Sequence, residues 1–547
     1  MSEPSNPART AVVLGGSHAG MLAARALSGF ADRVVVIERD VLPDGPAPRR
    51  GLPQARHAHM LWSGGVRAVE ELLPGVTEAL RAAGARRSPV TTDMVVLGPR
   101  GWFRRWPESH HVILAGRDLL DATIRAQVLA DERIELLAGA EATGLAGDAG
   151  AVTGVRVRAR GAADGRDGAA SGPERIVSAA LVVDATGRGS RAAGWLQDLG
   201  LPAVERREVD SGLAYASRLY LAPEQARSGY PIVNVQADPR DGRPGRAGFL
   251  LPIEDGRWIV TLNGTRGGEP SAGNDDFLRF AREELRHPVI GELLERAEPL
   301  SDVSYTRATV NRRSYYERMA AWPEGFAVLG DALAAYNPLY GHGLAVAAQS
   351  AVALREAVRR HGWGSAGLSR RVQRAAARPA GAAWDLAVGQ DVFYPGATEN
   401  GPTLRDRLLA AYVGRLMLTA TGSGRIARRV TDVTSLERGP QVLLTPTVLL
   451  PPPAAPLMRP VPGPRLPPAV LYRGGRGGGP PAPAAGAGAA RAPGAAWREP
   501  RGAARSGTAG RQPAKAGRGR PLPASGTTRS EPATGCGAVR PTRAVVT

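Results

Sequence analysis

The chain has 547 residues, enough for about two or three packed domains, and its hydrophobic fraction of 43% is ordinary for a globular protein. A single cysteine, Cys536, excludes an intrachain disulfide and a cysteine-based metal cluster. The net charge of +19 suggests nucleic-acid binding at first sight. Residues 451–547, however, carry fourteen Arg, one Lys and two Glu, so +13 of that charge lies in the C-terminal tail.

The tail is also distinct in composition. Beyond about residue 451 the chain consists largely of Pro, Gly, Ala and Arg, and such a segment cannot bury enough apolar surface to offset its ordering entropy. We therefore predict that residues 451–547 are disordered, and because few aromatic residues interleave with the arginines, we predict no nucleic-acid partner. We find neither an apolar leader nor an uninterrupted apolar run of about 18 residues, so we expect no membrane span and a cytoplasmic location.

In chain order, the first predicted unit is strand–helix–strand. Thr10–Leu14 is a short apolar strand, a glycine-rich turn follows, and a helix begins with apolar residues at helical spacing. Arg33–Glu38 is a continuous β-branched run, which is typical of a buried parallel strand. Residues Gly161–Gly172 predict a surface hairpin loop. Further apolar strands are predicted at Ile134–Leu137, Val152–Arg158, Leu181–Val183 and Phe326–Leu329.

The pattern changes near residue 213. From about Leu213 to Thr265 apolar and polar residues alternate, and Asp255-Gly256 separates two apolar runs as in a β-hairpin turn. This region predicts an antiparallel sheet distinct from the first unit. Phe277–Arg296 returns to helical spacing. A further helix is predicted from the regular spacing of Leu404, Leu408, Tyr412 and Leu416.

The glycine-rich turn has the composition of a dinucleotide-binding site. It reads Gly15-Gly16-Ser17-His18-Ala19-Gly20 between a strand and a helix. Gly15 permits a tight turn, Gly20 lets the helix approach the strand, and the helix N-terminus offers free N–H groups to a pyrophosphate. Glu38 ends the second strand, where a carboxylate can bind a ribose hydroxyl pair. These residues predict an adenine dinucleotide; the alternative for Glu38 is an ordinary solvated strand end.

A second glycine-rich segment follows the predicted strand Phe326–Leu329. Gly330-Asp331 leads into Asn337-Pro338-Leu339-Tyr340-Gly341-His342-Gly343 and a long apolar helix. Asp331 can hydrogen-bond the ribityl chain of a flavin, and a helix that starts near Gly341 can stabilise negative charge on the reduced ring through its dipole. The alternative is a glycine-rich helix start with a capping role.

A third segment, Leu181 to Arg191, also follows an apolar strand and contains Asp184-Ala185-Thr186-Gly187. The three segments, in this order, resemble those of the group A flavoprotein monooxygenases of the p-hydroxybenzoate hydroxylase type. That family usually has Asp-Gly in the middle segment, whereas here Thr186 precedes Gly187. The resemblance implies an α/β fold: a Rossmann-type FAD-binding domain with an inserted antiparallel-sheet substrate domain, C-terminal helices and a disordered tail.

A narrower resemblance rests on longer blocks, which begin at Arg49, Trp62, Glu70, Leu251, Thr265, Thr309 and Gly330. The longest reads Arg-Arg-Gly-Leu-Pro-Gln-Ala-Arg-His-Ala-His-Met-Leu from Arg49. Over roughly residues 8–440 these blocks resemble the flavin-dependent epoxidases of polyether ionophore biosynthesis, within the squalene epoxidase-like superfamily. The resemblance implies epoxidation of alkenes of a linear polyene polyketide by a flavin C4a-hydroperoxide. It implies FAD and O2, and NAD(P)H acting directly or through a separate flavin reductase.

The resemblance and the motifs together predict the cofactor-binding residues. Outside the motifs they include Arg117 at a helix start, where a guanidinium suits phosphate and the alternative is a surface arginine. No catalytic side chain is assigned, because the cofactor carries the chemistry. His57 and His59 have no third ligand in view, so no metal site is predicted. The complete set is Gly15, Gly16, Ser17, His18, Ala19, Gly20, Glu38, Arg39, Arg56, His57, Arg117, Asp331, Pro338, Gly341 and Gly343.

Three aromatic residues of the predicted sheet, Tyr215, Phe249 and Trp258, are candidates to line an apolar substrate cavity, with core packing as the alternative. Two other functions stay open: an aromatic hydroxylase of a polyketide on the same fold, and a flavin-binding or arginine-rich interaction protein without turnover. The predicted domains are an FAD-binding domain (8–92, 111–200 and 301–360), a substrate domain (93–110 and 201–300) and a helical segment (361–440).

Overall fold

The computed structural model describes residues 9–160 and 170–449, together with residues 463, 464 and 466. The chain divides into two units, Met1–Gly474 and Gly475–Thr547, and every described residue lies in the first. Most of the predicted loop Gly161–Gly172 lies outside the described residues. So does nearly all of 451–547, for which the sequence predicts disorder.

Strands and helices are interspersed up to β22, and only helices follow it in the described residues. The strands are β1 (Thr10–Leu14), β2 (Arg33–Glu38), β3 (Met60–Trp62), β4 (Arg86–Pro89), β5 (Met94–Gly98), β6 (Gly101–Trp102), β7 (His111–Leu114), β8 (Ile134–Ala138), β9 (Ala140–Gly147), β10 (Val152–Arg160), β11 (Ala170–Ser178), β12 (Leu181–Asp184), β13 (Arg206–Val209), β14 (Ala214–Leu221), β15 (Ile232–Val235), β16 (Arg246–Pro252), β17 (Arg257–Gly264), β18 (Glu298–Pro299), β19 (Ser304–Thr306), β20 (Asn311–Ser314), β21 (Phe326–Val328) and β22 (Ala334–Ala335). The α-helices are α1 (His18–Ser28), α2 (Ser63–Leu72), α3 (Val76–Ala82), α4 (Val90–Asp93), α5 (Arg117–Leu129), α6 (Ala192–Asp198), α7 (Glu224–Arg227), α8 (Asn274–Arg279), α9 (Val289–Leu294), α10 (Gly343–His361), α11 (Leu368–Asp391), α12 (Leu404–Gly422), α13 (Gly424–Thr434) and α14 (Pro446–Leu449).

Five parallel strands form the first sheet, in the order β21-β12-β1-β2-β8. Helices α1 and α5 pack on this sheet, and the antiparallel sheet β11-β10-β9 contacts it through β9 and β10. Because these layers exclude water from the strands, β1 and β2 are apolar along nearly their whole length. The predicted strands Thr10–Leu14 and Arg33–Glu38 are confirmed, as is the mixed α/β fold class.

The second large sheet has eight strands, in the order β18-β14-β17-β16-β15-β5-β6, with β19 also paired to β14. Strands β5 and β6 come from the segment 93–110 and join this sheet through the parallel pairing of β5 with β15. Strand β19 carries the sheet past the predicted domain boundary at residue 300. Strand β13, predicted to lie in the substrate domain, pairs instead with β20 in a small sheet with β22. The eight-stranded sheet therefore takes strands from 94–102 and from 214–306, and the predicted division into domains stays a prediction.

Each face of the eight-stranded sheet belongs to a different cluster of side chains. One face is covered by α8 and α9 and forms a core with Phe277 and Ile290. The predicted helix Phe277–Arg296 is wrong as a single helix, since α8 ends at Arg279, a π turn follows and α9 begins at Val289. Pro288 explains the interruption, because it has no N–H to donate and excludes the helical conformation for the residue before it.

Five helices, α10 to α14, follow β22 in the described part of the chain. Helix α10 packs against α1 and α11, and α12 packs against α13. The helix predicted from Leu404 to Leu416 is confirmed as α12, which Thr403 and Asp406 begin with a reciprocal capping box. Over the residues that the structure describes, no helix has both the length and the apolar character needed to cross a membrane.

The predicted turn Asp255-Gly256 joins β16 to β17 with both residues at positive φ, 58° and 66°. We expect Gly256→Ala to lower the free energy of unfolding by about 1–2 kcal/mol, since an L side chain is strained in this region. Its Cβ would also lie 2.9 Å from the Cβ of Arg227. Chemical denaturation measures the loss. Gly194→Ala in α6, where a Cβ meets nothing within 4 Å, is the control, and equal losses in both variants would contradict this explanation.

Candidate functional site

Three turns that are distant in sequence meet at the carboxyl ends of β1, β12 and β21. These strands are neighbours in the parallel sheet, so the turns that follow them leave the same edge. A Cβ placed on Gly15 would lie 2.7 Å from the carbonyl oxygen of Ala185, and one on Gly330 would lie 2.9 Å from the Cβ of Ala19. The glycine-rich segments therefore form one surface at this edge, which is where open α/β sheets bind ligands.

Glycine shapes the first turn. Gly15 has a φ of 95°, and its N–H donates to the carbonyl of Ile37 at 2.8 Å, which ties the turn to β2. A Cβ on Gly20 would lie 1.7 Å from the carbonyl oxygen of Gly15, so α1 reaches β1 this closely only without a side chain there. Helix α1 begins at His18, and its first N–H groups have no partners within the helix. The turn therefore offers the donors and the positive dipole end that suit a pyrophosphate.

Glu38 is held beside this turn. Its carboxylate accepts hydrogen bonds from the N–H of Gly16 at 2.6 Å and the N–H of Asp40 at 3.0 Å, and Nη1 of Arg49 lies 3.3 Å from Oε2. Only 7% of Glu38 is exposed, so it is not an ordinary solvated strand end. Arg49 was not assigned to the site from the sequence, although it begins the longest resemblance block. Its Nε makes no hydrogen bond within the described residues.

Arg117 begins α5 and is buried against the first turn. Its Nε donates to Oδ1 of Asp121 at 2.8 Å, and its Nη2 donates to the hydroxyl of Ser17 at 3.1 Å. The alternative of a surface arginine is therefore wrong. Ser17, which stands where a middle glycine is usual, links the turn to α5. The arrangement fixes a guanidinium, which suits phosphate oxygens, beside the phosphate-binding turn.

Three other predicted cofactor residues differ in their surroundings. His18 is buried, and its Nε2 lies 3.1 Å from the carbonyl oxygen of Leu344, which joins α1 to α10. Burial, with a contribution from Arg117, lowers the pKa of His18 to about 4, so the ring is neutral near pH 7. Arg39 and Arg56 are exposed side chains, and their part in cofactor binding stays a prediction.

A buried carboxylate organises the middle turn. Asp184 accepts hydrogen bonds from the N–H and the hydroxyl of Thr186 at 2.9 and 2.6 Å, and from the hydroxyl of Ser190 at 2.6 Å. Thr186, the departure from the family's Asp-Gly, therefore supplies two of these hydrogen bonds. Arg188 extends from the turn, and its guanidinium donates to the carbonyls of Val310 at 2.9 Å and of Tyr336.

The third turn places Asp331 beside the start of α10. A Cβ on Gly343, the first residue of α10, would lie 3.7 Å from Oδ1 of Asp331. On the other side, Nε of Arg188 lies 3.9 Å from Oδ2 of Asp331. The positive end of the α10 dipole therefore lies at the same edge as α1, as the sequence predicts for a reduced flavin ring.

The loop before α10 turns sharply at Gly341. Pro338–Tyr340 forms a single 3-10 turn, and Gly341 follows with a φ of 64°. A Cβ on Gly341 would lie 3.3 Å from Nε1 of Trp62, which donates to the carbonyl of Tyr340 at 3.2 Å. The main chain at Gly341 and the indole of Trp62 thus lie close together. The sequence predicts that Pro338 and Gly341 of this loop lie near the cofactor.

Asp391, which the sequence did not indicate, holds this loop from the end of α11. Its Oδ2 accepts from Nδ2 of Asn311 at 2.7 Å and from Nδ2 of Asn337, and its Oδ1 accepts from the hydroxyl of Tyr340 at 3.1 Å. Asn337 is held again by its N–H, which donates to Oδ1 of Asn311 at 2.8 Å. Burial raises the pKa of Asp391 to about 6, although these donors oppose the shift.

One face of the eight-stranded sheet turns towards this loop. Tyr215 and Phe249 lie on that face with their ring centroids 6.5 Å apart. They pack with Leu213, with Ala58 and with Leu339 of the loop before α10. The two aromatic residues therefore lie between the sheet and the third turn, and the role of each in lining a substrate cavity stays a prediction.

Trp258 lies on the opposite face. It pairs with Tyr220 across the strands, whereas Tyr215 pairs with Asn263. Its ring centroid is 5.0 Å from that of Tyr230, in the core that α8 and α9 cover, and it is 0% exposed. Because successive residues of a strand point to opposite faces, Trp258 does not share the face of Tyr215. The prediction that Trp258 lines the cavity is wrong, and the alternative of core packing is right.

A chain of hydrogen bonds joins His57 to the face of the second sheet that carries Tyr215 and Phe249. Nδ1 of His57 lies 2.8 Å from the hydroxyl of Ser217, which lies 2.6 Å from the hydroxyl of Thr261. Burial, with a contribution from Arg56, lowers the pKa of His57 to about 4. The predicted cofactor residue His57 is thus fixed to the eight-stranded sheet as a neutral ring. Within the described residues, no three His, Cys, Asp or Glu side chains are grouped to hold a metal ion.

Comparisons with known proteins agree with this geometry. The flavin-dependent brominase Bmp2 superposes with a TM-score of 0.54 at 17% identity, covering 73% of this chain and 92% of that one. The p-nitrophenol 4-monooxygenase PnpA from Pseudomonas putida DLL-E4 gives a TM-score of 0.53 at 17% identity, covering 79% and 99%. The chain has the fold of the flavin-dependent monooxygenases. A flavoprotein/dehydrogenase from Cytophaga hutchinsonii shares it, with a TM-score of 0.52 at 16% identity, covering 80% and 95%.

Among curated proteins, Protein Rv3254 of Mycobacterium tuberculosis is 29% identical over 404 residues, which are 73% of this chain and 83% of that protein. No protein-family model matches the chain. On this fold, the residues that meet at the sheet edge fit an FAD. The start of α1, Arg117 and Glu38 offer partners for the pyrophosphate and ribose, and Asp331 and the start of α10 offer partners for the flavin part.

Replacing Asp391 tests whether it holds the loop. We expect Asp391→Leu to lower the free energy of unfolding by about 2–5 kcal/mol, because it leaves the amides of Asn311 and Asn337 and the hydroxyl of Tyr340 buried without an acceptor. Asp391→Asn keeps one acceptor and is expected to cost less. Urea denaturation measures both. Asp385→Asn on the exposed side of α11 is the control and should change little.

The same network predicts a pH dependence. The folded pKa of Asp391, about 6, lies above the ordinary aspartate value of 3.8, so the folded state binds this proton more tightly than the unfolded chain does. This group's contribution to stability is therefore fully present below about pH 4 and is lost as the pH rises through about 6. In Asp391→Asn that part of the pH dependence should vanish. An unchanged stability profile between pH 4 and 7 would contradict the raised pKa.

Proposed function

We propose that the protein is an FAD-dependent monooxygenase that epoxidises alkenes of a linear polyene polyketide, using O2. Reducing equivalents come from NAD(P)H directly or from a separate flavin reductase. The observation that carries the proposal is the meeting of the three turns, at residues 15–20, 184–191 and 330–343, beside an aromatic face of the second sheet. The epoxidase resemblance of the sequence blocks supplies the reaction and the substrate class.

Each part of the site has a role in this proposal. Gly15, Gly20 and the N-terminus of α1 bind the pyrophosphate with Arg117, Glu38 binds the ribose, and Asp331 binds the ribityl chain. Bound FAD, once reduced, supplies the activation of O2 and the electrophilic oxygen atom. The chain's own work is to orient the alkene and to exclude water, which suits the apolar contacts of Phe249, Leu213 and Leu339.

An aromatic hydroxylase is the second candidate, and His57 is the observation that favours it. Its neutral ring is oriented by Ser217 on the second sheet, and a neutral imidazole can accept a hydrogen bond from a phenol hydroxyl and so position it. PnpA, which shares the fold, is by name a p-nitrophenol 4-monooxygenase. An alkene has no such donor, so the identity of the oxidised group separates the two candidates.

Substitution of Gly20 tests the cofactor part of the proposal. We expect Gly20→Ala to lose most of its bound FAD, because the new Cβ would lie 1.7 Å from the carbonyl oxygen of Gly15 and must displace the turn. Flavin absorbance after gel filtration measures the occupancy, and circular dichroism monitors the fold. Gly29→Ala at the other end of α1 meets nothing within 4 Å and should keep its FAD. Wild-type occupancy in Gly20→Ala would count against the site.

Oxygen labelling tests the reaction. The full chain is given FAD, a reducing system, labelled O2 and a linear polyene polyketide, with a phenolic polyketide as competitor. We expect one labelled oxygen on the polyene, in a product that acid opens to a diol or a cyclic ether. Label on the phenol ring would move the assignment to the aromatic hydroxylase. Label on neither compound, with FAD bound, would contradict both.

A further inference from the structure

Two buried polar atoms on the face of the second sheet that carries Phe249 make no hydrogen bond within the described residues. They are the hydroxyl of Tyr215 and the amide nitrogen Nδ2 of Asn263. Tyr215 is 1% exposed and Asn263 is 2% exposed, so bulk water does not reach them. Burying a donor without a partner costs about 1–3 kcal/mol, and most such atoms in folded proteins are paired. Both donors are therefore available to a partner from outside the described residues.

The two residues are neighbours on one face of the sheet. Tyr215 on β14 lies directly opposite Asn263 on β17, so both side chains leave the same face of the sheet. Residues paired in this way have Cβ atoms about 4.5–5.5 Å apart. The next polar row on this face, Ser217 and Thr261, is already joined by the hydrogen bonds to His57. The hydroxyl of Tyr215 and Nδ2 of Asn263 thus have no hydrogen-bond partner within the described residues, whereas the neighbouring polar row is hydrogen-bonded.

The surroundings of the pair are apolar and carry a nearby negative charge. Leu213, Phe249 and Leu339 pack around Tyr215. Burial and the carboxylate of Asp391 raise the pKa of Tyr215 well above its usual value, so the phenol keeps its proton and can donate. The same carboxylate disfavours an anionic ligand here, because two negative charges at low dielectric repel strongly. A neutral acceptor is the complement of two donors in such a setting.

We propose that Tyr215 and Asn263 form a donor pair that binds a neutral oxygen acceptor, a carbonyl or hydroxyl oxygen, of an otherwise apolar substrate. The pair deepens the proposed function and rests on it: it selects an oxygenated chain over a plain hydrocarbon and fixes which part of the chain lies against the sheet. The pair acts in binding and takes no part in the oxygen transfer itself.

Calorimetric titration of the full-length, FAD-loaded protein tests the pair. Three linear trienes of equal length serve as probes: a hydrocarbon, the matching methyl ketone and the matching carboxylate. We expect the wild-type protein to bind the ketone about tenfold more tightly than the hydrocarbon, the effect of about one good hydrogen bond, and more tightly than the carboxylate. Tyr215→Phe and Asn263→Leu should each reduce the preference for the ketone over the hydrocarbon, and the double variant should abolish it.

Tyr230→Phe is the matched control. The Tyr230 hydroxyl is also buried without a hydrogen bond among the described residues, but it lies in the core on the other face of the sheet. It should leave the ketone preference at its wild-type value. Equal wild-type binding of ketone and hydrocarbon, binding of neither, tighter binding of the carboxylate, or a preference that survives in the double variant would overturn the donor pair.

The titration contains no reductant, so its outcome is independent of turnover. A ketone preference without any transfer of labelled oxygen would contradict the monooxygenase proposal and still support the donor pair as a binding site. Oxygen transfer to a polyene without a ketone preference would contradict the donor pair alone.

Discussion

The constraint on which the site depends is the close approach of main chain at the carboxyl edge of the parallel sheet. The first turn is in contact with the main chain of Ala185 and with the start of α1, and both contacts exclude a side chain at Gly15 and at Gly20. Because β1 lies between β12 and β2, the turn after it is bordered by the turns that follow its neighbours. The residues proposed to bind phosphate, ribose and flavin therefore come from segments that are distant in sequence.

The two faces of the second sheet lie in different environments. Its covered face is an aromatic and aliphatic core under α8 and α9, and its other face presents Tyr215, Phe249 and the hydroxyls of Ser217 and Thr261. This division depends on the strand register, because a shift of one residue in the pairing would exchange the side chains of the two faces. The register that builds the core therefore also positions the polar side chains on the face of Tyr215. One of them, Ser217, is the side chain that holds His57.

The sequence indicated the parts of the structure that local pattern controls. Continuous β-branched runs located β1 and β2, the glycine spacing located the first turn, and Asp255-Gly256 located the hairpin. The sequence did not indicate the features that depend on packing between distant segments. Alternation shows that Tyr215 and Trp258 belong to a sheet, but which face meets the loop at Leu339 depends on contacts between distant segments. The Asp391 network was equally hidden, since its partners at residues 311, 337 and 340 have no common spacing.

Asp391 also shows how the loop before α10 is held in place relative to the second sheet. A buried carboxylate surrounded by neutral donors is costly, and burial raises its pKa to about 6. Its hydrogen bonds reach β20, the loop before α10 and the end of α11 together. A hydrophobic residue there would pack the same elements but would not orient them, because dispersion contacts have little directional preference. These directional hydrogen bonds hold the loop before α10, in which Leu339 packs against the sheet face of Tyr215, so one acceptor positions this loop on the second sheet.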